Sequence, residues 1–309
     1  MKRTLGIHHI TSIVGHPQEN AEFYGNVLGL RLIKKTVNFD DPQTYHLYFG
    51  NEGGDPGTII TFFPWANARQ GRIGGGQVGV TTYAVPVNSF DFWKNHLADK
   101  GIHVTETTRF GEDYLQFEDV HGLKLELVER EAGKPNTWSN SGLSPDVAIK
   151  GFGGATLYSL NPQGTIQTLT ETMGLEKIGE ENGLVRLKAI GETANIIDVP
   201  TEPVPNGRIG VGIVHHIAWR ANDQQDHLEW QSLVSYKGHN VTEVKDRNYF
   251  DAIYFKEPGT ILFEIATDTP GFAHDESYET MGSELKLPPQ YESRREELEQ
   301  VLPPINLTN

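Results

Sequence analysis

Two histidine pairs stand in near-identical settings far apart in the chain, as Ile7-His8-His9-Ile10-Thr11 and Val214-His215-His216-Ile217-Ala218. Each lies in a short apolar run with alternation, which reads as a strand. The same succession of elements follows both. Residues 17–28 form a helix signal opened by Pro17 and stopped by Gly29, and residues 223–236 form another, carrying Leu228, Trp230 and Leu233 and ending at Gly238. Three strand signals come next, at 32–39, 44–49 and 58–64 in the first case and at 241–246, 252–256 and 260–266 in the second. A repeat of this kind constrains the fold more than composition does, because each copy must bury its apolar face against an equivalent neighbour.

Two further stretches follow the plan. Strand 78–85, a helix near 89–100 and strands 104–109, 113–118 and 123–129 make one; strand 154–160, a helix near 165–173 and strands 176–179, 183–189 and 194–199 make the other. Phe117 precedes Glu126 by nine residues, as Phe255 precedes Glu264. The expectation is an α+β chain of four βαβββ units with mixed, curved sheets, divided into halves at 1–140 and 141–309. The stretch 133–150, rich in Pro, Ser, Asn and Gly, is the expected linker, and the polar tail 268–309, with a helix at 291–301 between prolines, is expected to brace the second half.

Composition then removes function classes. With 37% hydrophobic and 22% charged residues the chain is a folded one, and no apolar run reaches the length of a membrane span. The start of the chain, with His8 and His9 where a leader would be apolar, predicts no secretory signal and a cytoplasmic protein. A formal net charge of −15 argues against nucleic acid as partner. There is no cysteine, so disulfides, thiolate nucleophiles and cysteine-based metal sites are excluded. Any metal must be held by histidine and carboxylate, which suits Fe(II), Mn(II), Zn or Ni.

Glu264 interrupts the apolar run Ile261-Leu262-Phe263-Glu264-Ile265-Ala266. A bare carboxylate is costly to bury there, and a metal ion is one of the few partners that would make the position favourable; an arginine or an edge strand facing solvent are the others. Neighbours on a strand point to opposite faces, so one histidine of each pair can join Glu264, and the repeat makes it the same member in both. Taking the second gives His9, His216 and Glu264. Counting from Gly57 and Gly259 puts Phe62 at the position of Glu264 in the first unit, and the middle units have Glu126 but no histidine at their strand starts, where Thr81, Thr82 and Thr156 stand. One site with three ligands and open positions is expected, an arrangement suited to oxygen-activating iron rather than to a closed structural site.

These motifs, together with Arg247, Tyr254 and Glu264 at their spacings, resemble the vicinal oxygen chelate superfamily over essentially the whole chain. More narrowly, the chain is similar to the MhqO-type ring-cleaving dioxygenases that act on hydroquinones and to chlorohydroquinone 1,2-dioxygenases. The resemblance implies two vicinal-oxygen-chelate domains, 1–140 and 141–309, and Fe(II) bound by His9, His216 and Glu264, with Mn(II) as the alternative metal. It places His8, Thr11, His215, Arg247 and Tyr254 around the substrate, and it implies a small aromatic diphenol and O2 as reactants, in detoxification or catabolism. Homo-oligomer formation is left open.

The residues themselves carry part of this. Tyr254 lies ten residues before Glu264, on the preceding strand, where a phenol could exchange a proton with a substrate hydroxyl. Arg247 could stabilise a phenolate, and its alternative is a surface ion pair. His8 and His215 could equally cap strand ends. The rival functions are an extradiol catechol dioxygenase, a glyoxalase-type isomerase or lyase, which normally needs a second carboxylate, and a metal-free binder of aromatic drugs. The remaining histidines, His46 among them, occupy no repeated position and receive no role.

Overall fold

The computed structural model describes residues 2–138 and 142–307. The first unit comprises β1 (Ile7–Val14), α1 (Pro17–Glu22), β2 (Arg31–Asn38), β3 (Asp41–Gly50) and β4 (Ile59–Pro64). The second comprises β5 (Gln77–Val85), α2 (Phe90–Asp99), β6 (Thr105–Arg109), β7 (Glu112–Glu118) and β8 (Lys124–Glu129). The third holds β9 (Gly151–Tyr158), α3 (Pro162–Gln167), β10 (Glu176–Glu181), β11 (Leu184–Lys188) and β12 (Ile196–Pro200). The fourth holds β13 (Ile213–Ala221), α4 (Gln224–Tyr236), β14 (Lys245–Asp246), β15 (Phe250–Lys256) and β16 (Leu262–Pro270), after which α5 (Arg295–Val301) lies in the tail. All four units expected from the repeat are present. Residues 139–141 of the expected linker lie outside the described residues.

Each unit closes on itself in the same way. Its first and last strands run parallel, as β1 with β4 and β13 with β16, and the two strands between them return antiparallel. A parallel pair needs a long crossover, which the helix supplies. The helices start where the sequence signals: Asn161 accepts from the Gly164 amide and Asp223 from the Asp226 amide, while Pro17 and Pro162 sit in the first turn, where a missing N–H costs nothing.

The units then join through their first strands, β1 antiparallel to β13 and β5 antiparallel to β9. The result is two eight-stranded mixed sheets, ordered β14-β15-β16-β13-β1-β4-β3-β2 and β10-β11-β12-β9-β5-β8-β7-β6. The outer units share one sheet and the inner units the other, so each sequence half supplies one unit to each sheet. Strand β1 is buried along its whole length, which explains its near-continuous apolar reading.

The tail reaches further than expected. It contacts the fourth unit, where Tyr249 donates its hydroxyl to Asp275 Oδ2 at 3.0 Å, and it braces the first unit as well: Lys286 N donates to Lys35 O, Arg31 donates to the carbonyls of Tyr278 and Glu279, and the fully buried Lys34 ammonium lies 2.6 Å from Asp275 and 2.5 Å from Glu276. Leu32, Ile33, Lys34 and Lys35 carry the cost of an edge strand, and the tail covers that edge.

The second sheet shows what the repeat becomes without histidines. Register places Glu126 opposite Thr82 and Asp198 opposite Thr156, the positions that Glu264 and Ala218 occupy in the first sheet. The acidic residue of the third unit is thus Asp198, which the sequence reading missed. Val80 and Gly154 stand where the ligand histidines would be. Arg109 bridges the two carboxylates, 2.6 Å from Glu126 and 2.8 Å from Asp198, and Arg186 grips Asp198 at 2.7 Å and 2.8 Å. Replacing Arg109 by Ala leaves the buried Glu126 without its cationic partner, while Asp198 keeps Arg186, and a loss of about 3–5 kcal/mol of stability is expected. Urea unfolding measures it; metal content, set by the other sheet, should not change.

Candidate metal centre

The seam between β1 and β13 carries the site. His9 pairs with Ala218 and Thr11 with His216 across it, and Ala218 in turn pairs with Glu264 on β16. Glu264 pairs with Tyr254 on β15, as the ten-residue spacing predicts. Strand alternation puts these side chains on one face, and the small Ala218 leaves room between them.

The geometry fits a cation. Glu264 Oε2 lies 2.8 Å from His216 Nε2 and 3.4 Å from His9 Nε2, and the two imidazole nitrogens are 3.4 Å apart. Ligands held at about 2.0–2.2 Å from one ion stand roughly 3.0–3.4 Å from each other, so the triangle has the size of one face of a coordination sphere. Among the described residues this is the only group of three histidine, aspartate or glutamate side chains so disposed. Glu264 is fully buried, with its Oε2 facing both imidazole nitrogens. Burial alone would raise its pKa, but the neighbouring His9 and His216 hold it well below the usual carboxylate range.

The first histidine of each pair turns the second toward the cation. His8 Nε2 lies 3.1 Å from Thr267 O, a carbonyl that can only accept, so His8 carries its proton there. His8 Nδ1 must then accept from His9 Nδ1, 2.9 Å away, which leaves the His9 Nε2 lone pair free. In the other pair His215 Nδ1 and His216 Nδ1 are 2.8 Å apart. If His216 Nε2 is a ligand, His216 donates from Nδ1 and His215 keeps its own proton on Nε2. Burial, followed by the His216 neighbour, pushes the His215 pKa down to about 3, so it is neutral.

His9, His216 and Glu264 line a pocket of about 290 Å³, also lined by Phe39, Phe63, Trp65, Phe250 and Leu262. That volume stands at the small end of ligand pockets, roughly 300–1,000 Å³, and suits a single ring. Tyr254, Arg247 and His215 line it; His8 and Thr11 do not, and stand behind its wall. Arg247 Nε donates to the Tyr254 hydroxyl oxygen at 3.2 Å. Burial and then the Glu264 charge raise the Tyr254 pKa far above the ordinary phenol value, so the hydroxyl keeps its proton.

Two residues escaped the sequence reading. His46 lines the pocket, with Nε2 2.8 Å from Thr61 Oγ1 and Nδ1 2.8 Å from the Tyr48 hydroxyl. Thr61 also hydrogen-bonds Thr11, at 2.7 Å. Register makes Thr61, not Phe62, the counterpart of Glu264: Thr11 pairs with Thr61 and Thr61 with Tyr48, as Ala218 pairs with Glu264 and Glu264 with Tyr254. Phe62 points the other way, 4.4 Å between ring centres from Tyr24. Counting from glycines slipped by one residue, and a one-residue slip changes the face. The first unit still offers no carboxylate, so the set stays at three.

Residues 6–127 match the family profile of the Glyoxalase/Bleomycin resistance protein/Dioxygenase superfamily. A Bacillus subtilis (strain 168) protein named as a ring-cleaving dioxygenase, MhqO, is 60% identical over 99% of this chain and 98% of its own. The chain belongs to this superfamily. Within it, it is a dioxygenase of the ring-cleaving group. A chlorohydroquinone/hydroquinone 1,2-dioxygenase from Sphingobium indicum is 35% identical over 96% of this chain and 95% of its own. The crystal structure of a protein named as a dioxygenase from Bacillus subtilis superposes with a TM-score of 0.98 at 60% identity, covering 99% of both chains.

If this triangle holds the metal, Glu264→Ala and His216→Ala lose it while retaining the native circular dichroism. His8→Ala, which removes only the acceptor behind His9, should weaken metal binding by about 10–100-fold. Metal titration followed by thermal shift ranks the three; wild-type affinity in His216→Ala would show the ligand set to be wrong.

Proposed function

We propose that the chain is an Fe(II)-dependent dioxygenase that cleaves hydroquinone-type diphenols, acting in the cytoplasm in the detoxification or catabolism of aromatic compounds. The observation that carries this is a two-histidine, one-carboxylate triangle at the floor of a small aromatic pocket, a ligand set associated with non-haem Fe(II) oxygenases because it leaves coordination positions open. The names of relatives that span nearly the whole chain support the hydroquinone class. The halves 1–140 and 141–309 are read as two domains of duplicated units.

When bound, iron would supply the path for electrons between ring and dioxygen. The protein's part is binding, orientation and proton handling. Phe63, Phe250 and Leu262 give the ring an apolar seat and keep water from it. Tyr254, protonated and fixed by Arg247, offers its hydroxyl proton to an oxygen of the substrate. His215, neutral and with its proton on Nε2, is a second donor at the pocket wall. Arg247 stays cationic and favours the ionised form of a bound hydroxyl. His8 acts through His9, and Thr11 through Thr61 and His46, as positioning residues.

Anaerobic reconstitution with Fe(II), followed by oxygen uptake, tests the reading. Methylhydroquinone should consume one O2 per ring, and the methylglyoxal–glutathione adduct none. Faster uptake with catechol would move the enzyme to the extradiol class, and no uptake with either diphenol would overturn the proposal. Tyr254→Phe should slow turnover by roughly 100-fold, the usual scale of one acid–base group, with metal content unchanged.

A further inference from the structure

Arg247 is the only arginine or lysine in the lining of the pocket, and its charge is already engaged. Its Nε serves Tyr254, and its Nη2 lies 3.1 Å from Asp40 Oδ2. Asp40 comes from the turn between β2 and β3, in the first unit, whereas Arg247 precedes β15 in the fourth, so the pair spans the pocket from one unit to the other. The side chain of Asp40 is 73% exposed, and a pair so open adds little to stability. The turn is nonetheless well fixed. Asp40 N donates to Asn38 Oδ1 at 2.9 Å, and the tail residue Tyr291 donates its hydroxyl to Phe39 O at 2.8 Å. The tail thereby holds an acidic side chain over the guanidinium.

An unpaired guanidinium beside an aromatic seat is a ready anchor for a ring carboxylate, which it can grip through two parallel hydrogen bonds. We propose that Asp40 sets the charge class of the substrate: by occupying Arg247 it selects diphenols without a carboxyl group and disfavours dihydroxybenzoates. This deepens the reading given under the proposed function and rests on it for the identity of the pocket. Charge balance leads the same way. With a divalent ion bound, it and Arg247 would face the carboxylates of Glu264 and Asp40, and with neutral imidazoles one positive charge would remain. One phenolate satisfies it; a phenolate with a carboxylate would leave the pocket with excess negative charge.

The test is equilibrium binding, independent of turnover. 4-Methylphenol and 4-hydroxybenzoate share a para-substituted phenol ring and differ in the charge of the para group, and comparing the ratio of their affinities between variants cancels the difference in its size. Calorimetry under anaerobic conditions gives both affinities for the metal-loaded chain. The wild type should bind 4-methylphenol at least tenfold more tightly. Asp40→Asn should shift the ratio of affinities toward 4-hydroxybenzoate by about tenfold at low salt, with a smaller shift at high salt, because the removed charge is a partly screened one. Asp40→Ala should do the same and Asp40→Glu should not. A ratio that stays put in both Asp40→Asn and Asp40→Ala, a wild type that prefers 4-hydroxybenzoate, or no binding of 4-methylphenol would each overturn the inference. If the ratio shifts while hydroquinones consume no oxygen, the dioxygenation reading fails and the charge filter stands.

Discussion

A fully buried carboxylate that faces two imidazoles governs the first sheet. Desolvating one ion costs several kcal/mol, and packing gives none of it back. Glu264 is tolerable because two imidazoles converge on it from strands more than 200 residues apart, His9 and His216. That convergence exists only if β1 lies antiparallel against β13 and β16 parallel to it in the observed register. The seam between the outer units is therefore tied to the electrostatics of one side chain, and a slip of one residue would turn the carboxylate into the opposite face.

The inner units meet the same problem and solve it differently. Glu126 and Asp198 keep the acidic positions of the repeat, but guanidinium groups from Arg109 and Arg186 neutralise them. The planar forks, with Thr82 and Gln116 beside them, satisfy the carboxylate oxygens and leave nothing open. A metal held by three ligands differs in that respect, since its unfilled positions can take a reactant. Duplication thus gives one sheet whose buried acid faces two imidazoles and one whose buried acids are held by guanidinium groups.

What the sequence disclosed follows from what strands make periodic. The doubled histidines, the apolar setting of Glu264 and the ten-residue step to Tyr254 are local patterns, and the structure brings the second histidine of each pair, Glu264 and Tyr254 to one face. Pairing of the outer units was hidden because nothing local says which first strands meet. Thr61 was mistaken for Phe62 because spacing from a glycine ignores the ladder that sets register. His46 was invisible for a related reason: its partner Thr61 comes from strand pairing, and its unit has no second copy of it. The reach of the tail to the first unit was hidden because its anchors there, Lys34 and Arg31, read as an ordinary charged strand until Asp275, Glu276 and Tyr278 are seen against them.

The doubling of each histidine also has an electrostatic meaning. A metal-binding imidazole needs an acceptor for its far N–H, and a carboxylate is a common choice. Here the acceptor is a second imidazole, which passes the hydrogen bond on from His9 through His8 to the Thr267 carbonyl without adding charge. Carboxylates at positions 8 and 215 would place two more anions beside Glu264 and cancel the positive charge on which an ionised substrate hydroxyl depends. Neutral acceptors keep the ligands oriented and leave Glu264, Arg247 and Asp40 as the fixed charges of the pocket. The selectivity assigned to Asp40 and the pairing of adjacent histidines are then two consequences of one requirement, that the seat should end with the charge of a single phenolate.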